Sequence, residues 1–198
     1  MIIGLTGASG SGKSLAADFF RKQDFYIMDF DKISREVCMP GEPCLKELAA
    51  EFGEDILDEN GRLKRKYLGD IVFRDSKKLE ILNKITTGHI LKRANMLKEQ
   101  NSHRHIIYDA PRLFEAGLDK ECDKVICIIC DTDTKVARIM ERDGICEETA
   151  RGRINSQQDN SYYIENSDYS IENNSSPEEF CEKLENLLKE LNIYGASA

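Results

Sequence analysis

The sequence predicts an α/β protein: a mostly parallel five-stranded sheet with helices on both faces, a helical insertion and a helical lid. Three observations carry this. A glycine-rich loop at residues 7–14 joins a short apolar run to a helical stretch. Further short apolar runs alternate with helical periodicity to the C-terminal end, the pattern of a parallel sheet. Between the second and third runs, about 70 residues carry helical periodicity alone, far more than an ordinary crossover needs.

Bulk properties narrow the field before any motif is read. A chain of 198 residues can build one substantial core. The charge of −8, from 28 Lys and Arg against 36 Asp and Glu, argues against nucleic acid as the main partner. No run reaches the ~18 apolar residues of a membrane span. The N-terminal apolar run lacks the basic flank and cleavage site of a signal peptide. Seven cysteines, an odd number spread thinly, suit a reducing cytoplasm better than a disulfide framework. Oligomeric state is left open.

The first element is the run Ile2-Ile3-Gly4-Leu5-Thr6, read as a buried strand. It leads into Gly7-Ala8-Ser9-Gly10-Ser11-Gly12-Lys13-Ser14, a P-loop pattern of Gly, four residues, then Gly-Lys-Ser. Gly7, Gly10 and Gly12 permit backbone conformations and close approaches that a Cβ would forbid. The N–H groups of such a loop, Ser11 included, converge on phosphate oxygens. The helix that follows adds its positive end. Lys13 is placed to reach the β- and γ-phosphates, and the Ser14 hydroxyl to ligate Mg²⁺. Leu15, the next residue of the helix, is counted with the nucleotide-binding set.

The second strand is expected in Asp24-Phe25-Tyr26-Ile27-Met28-Asp29-Phe30-Asp31 and ends in two acids. Ligands of open α/β sheets gather at the carboxyl ends of strands. Asp29 and Asp31 therefore stand where chemistry is expected, although Asp31 could equally cap the helix that begins at Lys32. Met39-Pro40-Gly41-Glu42-Pro43 breaks the chain. Helices are expected over 44–52, 65–73 and 75–100, with a turn at Asp58-Glu59-Asn60-Gly61. Two short segments imitate a GTPase. Asp58-Glu59-Asn60-Gly61 follows a helix rather than a buried strand, and Asn83-Lys84-Ile85-Thr86 lacks the final acid, so neither is taken as a guanine or switch motif.

His105-Ile106-Ile107-Tyr108-Asp109 is the third strand. An apolar strand ending in Asp resembles a Walker-B carboxylate, which makes Asp109 a metal candidate or a helix cap. Residues 124–130 form the fourth strand. Cys127 and Cys130 lie within it with redox spacing, but on opposite faces, so packing is their expected role. His103 and His105 have no nearby cluster of metal ligands and read as solvated. Helices follow over 133–144 and 147–158. The first places Arg138 and Arg142 on one face, suited to a lid that closes on a transferring phosphoryl group. Residues 160–168 read as loop. Tyr169-Ser170-Ile171-Glu172 is a last strand, and Ser176-Pro177-Glu178-Glu179 is a capping box. It opens a helix whose apolar face is Phe180, Leu184, Leu187, Leu188 and Leu191. Residues 195–198 read as a frayed tail.

These motifs, taken together and in this order, resemble the dephospho-coenzyme A kinase family. The resemblance runs from Met1 to about Leu191. Beyond the P-loop, it rests on Asp29-Phe30-Asp31, Arg35-Glu36-Val37, Gly41-Glu42-Pro43, Phe52-Gly53-Glu54-Asp55-Ile56-Leu57, Pro111 and Leu113-Phe114-Glu115. Arg138, Arg142-Asp143, Arg153-Ile154, Gln157 and Ile171-Glu172-Asn173 complete it. Departures are Ala8-Ser9 for Gly-Ile, Leu15 for Thr, Arg112 for Leu, and Thr87-Gly88 where the family often has His-Pro. No role is carried over to His89.

The resemblance implies a P-loop kinase that uses ATP and Mg²⁺ to phosphorylate the ribose 3′-hydroxyl of dephospho-coenzyme A, the last step of coenzyme A synthesis. It implies that Asp31 faces the acceptor hydroxyl and takes its proton. Lys13, Arg138 and Arg142 would stabilise the phosphoryl in flight, and Ser14 and Asp109 would serve the metal. The expected division is a core of 1–31, 105–132 and 166–198, an acceptor-binding insertion of 32–104 and a lid of 133–165. No nucleic acid or membrane partner is implied.

Overall fold

A computed structural model describes residues 1–193; the tail expected at 195–198 lies outside the described residues. The elements run β1 (Ile2–Thr6), α1 (Lys13–Lys22), β2 (Tyr26–Asp29), α2 (Phe30–Glu36), α3 (Pro43–Phe52), α4 (Arg65–Val72) and α5 (Ser76–Gln100). They continue with β3 (Ile106–Asp109), β4 (Lys124–Ile129), α6 (Thr132–Asp143), α7 (Glu147–Asn155), α8 (Asn160–Glu165), β5 (Tyr169–Glu172) and α9 (Pro177–Glu190). The five strands form one sheet in the order β2-β3-β1-β4-β5. β1 lies in the middle and pairs in parallel with both β3 and β4, and β4 pairs in parallel with β5.

The alternation of side chains along the strands explains the layers. Ile3 and Leu5 of β1, Ile107 of β3, and Ile126 and Ile128 of β4 pack in one cluster with Phe20 of α1 and Phe180, Leu184 and Leu187 of α9. Cys127, between Ile126 and Ile128, faces the other way and meets Ala8 and Tyr163 of α8. Helices thus cover both faces. Capping starts α9: the Ser176 hydroxyl accepts the Glu179 N–H, and Pro177 occupies the first turn.

The chain divides into two compact units, residues 1–28 with 101–198 and residues 29–100. In the second unit, α5 packs against α2, α3 and α4. Its buried apolar groups include Ile33, Val37, Cys44, Leu45, Leu48, Ile56, Leu68 and Val72. Of the 25 residues of α5, Ala94 alone is fully buried.

Two expectations are corrected. The second strand is shorter than residues 24–31. Asp24 adopts a left-handed conformation, φ 65°, that ends the turn after α1, and helix α2 already begins at Phe30. The cap is Asp29, whose carboxylate accepts the Lys32 N–H at 2.8 Å; Asp31 lies in the first turn of α2 and is exposed. Residues 160–165, expected as loop, form α8, because Asp159 accepts the Tyr162 N–H and the buried Tyr163 anchors the turn. Polar composition hid a helix held by one cap and one ring.

Candidate active site

The glycine-rich loop leaves the carboxyl end of β1, the central strand, and runs into α1. Gly7 has φ 144°, and a Cβ there would strike the carbonyl oxygen of Ile128 and come within 2.9 Å of Ser11 Oγ. The loop can therefore sit on β4 only with glycine at this position. Ala8 packs into the Cys127 and Tyr163 cluster, and the Ser11 N–H closes a turn onto Ala8 O at 3.1 Å. Helix α1 starts at Lys13 with no side-chain cap. Its first-turn N–H groups thus face the loop without a side-chain acceptor, the usual make-up of an anion site. Ser14 lies in that first turn and is exposed; the side chain of Leu15 packs toward the main core, so only its backbone is on the loop side.

Lys13 Nζ makes a close ion pair with the carboxylate of Asp109, the last residue of β3. Both side chains are largely shielded, at 16% and 13% exposure. Parallel pairing of β1 with β3 sets Leu5 opposite Asp109, which brings an acid at a strand end to the lysine of the loop. Ser14 and Asp109 supply hard oxygen donors, which suit Mg²⁺. Among the described residues no three His, Cys, Asp or Glu side chains gather as a metal cage. Mg²⁺ sites commonly combine one or two carboxylates with substrate phosphates, so the donor set fits a metal that arrives with a nucleotide.

Arg138 of α6 reaches the outer side of the loop. Its guanidinium donates to Gly10 O at 3.4 Å, Ser11 O at 3.5 Å, Cys130 Sγ at 3.4 Å and Asn173 Oδ1 at 3.5 Å. Burial raises the Cys130 thiol above its ordinary pKa, against the opposing pull of Arg138. Cys127 is likewise raised by burial, and both Cys127 and Cys130 are buried free thiols, in keeping with packing roles. Arg142 does not reach the loop. It makes a two-pronged pair with its neighbour Asp143, at 2.7 and 3.0 Å, and its side chain is 59% exposed. Asp31 and Asp29 belong to the second unit.

Four residues enter the site that sequence reasoning gave no role of their own. Asn173, directly after β5, is 2% exposed and donates its amide to Ser11 O at 2.8 Å. Gln157, after α7, accepts the Ser9 N–H at 2.8 Å. Lys135 is 3% exposed and donates to Asn160 Oδ1 at 3.1 Å, while Asn160 donates to Cys130 O. Lys135, Gln157 and Asn160 line a cavity of about 630 Å³ at the foot of α6 and α7. The signal that could have found Asn173 is its place at the carboxyl end of a strand. Nothing local marks Lys135 as buried.

The comparisons with known proteins bear on this geometry. A family model described as dephospho-CoA kinase matches residues 1–179. A dephospho-CoA kinase of Fusobacterium nucleatum is 41% identical over 185 residues, covering 93% of this chain and 95% of that protein. The crystal structure of TT1252 from Thermus thermophilus superposes with a TM-score of 0.82 at 26% identity, over 96% of this chain and 97% of that one. A dephospho-CoA kinase from Campylobacter jejuni gives a TM-score of 0.67 at 25% identity, over 96% of each chain.

Proposed function

The chain belongs to the dephospho-CoA kinase family, and from that premise we propose how its own residues carry out ATP-dependent phosphorylation of dephospho-coenzyme A. The family match over residues 1–179 carries the reading. The acceptor atom is the ribose 3′-hydroxyl, and the product is coenzyme A.

Phosphoryl transfer depends mostly on positioning and on neutralising spread charge. The loop of residues 7–14 and the open N-terminus of α1 bind the β- and γ-phosphates. Lys13 exchanges its carboxylate partner Asp109 for phosphate oxygens, and so keeps a counter-ion at every stage. That exchange matters because an unpaired charge in a shielded site is costly. Asp109 and the Ser14 hydroxyl are the side chains that would hold Mg²⁺. Bound Mg²⁺ would neutralise charge on the β- and γ-oxygens. Arg138 holds the carbonyl side of the loop, and reaches the phosphoryl group only if it leaves those partners. Arg142 joins only if it leaves Asp143, as a closing lid would require. Asp31 orients the acceptor hydroxyl and accepts its proton. The helical unit of residues 29–100 takes the acceptor, including its long, partly apolar pantetheine arm.

The test is ADP release from Mg-ATP with dephospho-coenzyme A, adenosine or AMP as acceptor. Rapid release with dephospho-coenzyme A alone is expected. Equal rates with all three, or release only with adenosine or AMP, would reject the acceptor assignment.

Among the described residues no helix is long and apolar enough to cross a membrane. We place the reaction in the cytoplasm, which the seven free cysteines support.

A further inference from the structure

We propose that Asn173 is a positioning residue that sets the polarity of the phosphate cradle, by holding the Ser11 carbonyl outward so that the Gly12 N–H faces the nucleotide's β-phosphate. This rests on the nucleotide-binding reading given above and adds a cause for it. The Ser11–Gly12 peptide is trans, as are all the peptides described. In a trans peptide the C=O and the next N–H point in opposite directions. Whatever grips the Ser11 oxygen therefore decides where the Gly12 N–H points.

The grip is specific. Asn173 Nδ2 donates to Ser11 O at 2.8 Å across 162 residues of sequence, and the bond is buried. The carboxamide cannot turn over without loss, because its Oδ1 accepts from Arg138 Nη2 on the other side. Its backbone is fixed too, since the Asn173 N–H donates to Ile129 O at 2.9 Å. Arg138 adds weaker bonds to Gly10 O and Ser11 O. The carbonyls of two successive loop residues thus face Asn173 and Arg138. Among the described residues, no protein acceptor takes the Gly12 N–H.

Gly12 shows how tightly this is built. Its φ is 99°, and a Cβ there would collide with Asn173 Nδ2. The glycine is needed at this point of the loop as much to admit the asparagine as to admit a phosphate. A loop peptide of this kind can flip, exchanging its C=O and N–H, and the flipped form would aim a carbonyl oxygen at the phosphates. Asn173 opposes that flip from the end of β5, so the last strand of the sheet acts on the first loop.

The experiment compares wild type with Asn173→Ala in titration calorimetry against ADP, AMP and adenosine. The β-phosphate distinguishes ADP from AMP, so the ratio of their affinities reads the cradle. Wild type is expected to prefer ADP. In Asn173→Ala, the ADP affinity is expected to fall about tenfold or more, the scale of one lost hydrogen bond to a charged group, with AMP and adenosine within about twofold. An unchanged ADP-to-AMP ratio, or a parallel loss for all three ligands, overturns the proposal. A wild type with no preference for ADP would instead count against the phosphate-cradle reading itself. Should Asn173→Ala fail to fold, the wild-type Gly12 amide decides the matter in NMR. A shift of that resonance with ADP but not with AMP is expected, and an amide that responds to neither overturns the assignment.

Discussion

The two units of this molecule hold their functional groups in opposite ways. In the sheet unit, three residues of the glycine-rich loop are held by partners distant in sequence: Lys13 by Asp109, Ser9 by Gln157, and Ser11 by Asn173. In the helical unit, Asp31 is exposed in the first turn of α2, and α5 has one fully buried residue in 25. Phe73, just after α4, is 80% exposed. The loop's groups are held in place by the fold, whereas the helical unit, which we propose takes the acceptor, leaves apolar and acidic groups in water. Preorganisation suits a nucleotide polyphosphate whose charge must meet fixed dipoles. Helix α5, with one fully buried residue in 25, has less packing to hold it against local opening.

The sharpest way to break this comparison is to remove one charged group from each side. Lys13→Ala should lower kcat/KM by about 10³-fold or more, the scale seen when an enzyme loses a cation that stabilises a phosphoryl group in transfer. ATP binding should weaken with it. Asp31→Asn should lower turnover by about 10²- to 10⁴-fold, the usual contribution of a general base, with ATP affinity retained. Steady-state kinetics with ATP titrations separate the two. If Asp31→Asn turns over like wild type, the base assignment is wrong; if it also loses ATP, the acid serves the donor side.

Stability offers a second contrast. Phe20 is fully buried in the main core, between α1 and the sheet. Phe20→Ala should cost about 3–5 kcal/mol in urea unfolding. Phe73→Ala should change stability by less than about 0.5 kcal/mol, as for an ordinary surface site. The same Phe73→Ala variant sharpens the functional half. If the exposed ring meets the acceptor, KM for dephospho-coenzyme A should rise with KM for ATP unchanged.

The same division runs through what the sequence made legible. The loop of residues 7–14, the strands of the sheet and the apolar face of α9 are local patterns, with a period or a motif written in consecutive residues. The helical character of 29–100 was also legible, because long helices repeat their signal. Contacts across the chain were not. Asn173 lies 162 residues from Ser11, and only the parallel register of β1, β4 and β5 brings them together. The exchange of Asp31 for Asp29 as the cap turned on two residues of strand length, since the helix begins two residues earlier, at Phe30, and makes the preceding acid its cap. Helix α8 is hidden in the sequence because one cap and one buried tyrosine outweigh a polar composition. Site residues that work locally are visible in a sequence, whereas residues that hold others in place need the fold.

The smallest expected effect concerns the α6–α7 hairpin, whose own small core is Val136, Ile139, Ala150 and Ile154. Asp143 accepts from both Arg142 and Arg153 at the turn between these helices. Hydrogen bonding from Arg142, joined by its charge and by Arg153, lowers the Asp143 carboxyl to about 2 from an ordinary 3.8. A depressed carboxyl stabilises the folded form above its unfolded pKa and loses that contribution as pH falls through the folded value. The contribution is therefore present at neutral pH and lost between about pH 4 and pH 2, the window set by the two values above. The three side chains are in contact with water, so salt should screen the effect. Asp143→Asn should melt slightly below wild type at pH 7, with the gap closing toward pH 2 and narrowing in 1 M salt, where the Debye length is about 3 Å. Loss of the same pair should also release Arg142. If Arg142 works in the lid, Asp143→Asn should hold or raise turnover while it lowers the melting temperature. A fall in turnover with no change in melting would mean that Asp143 aims Arg142 rather than detains it.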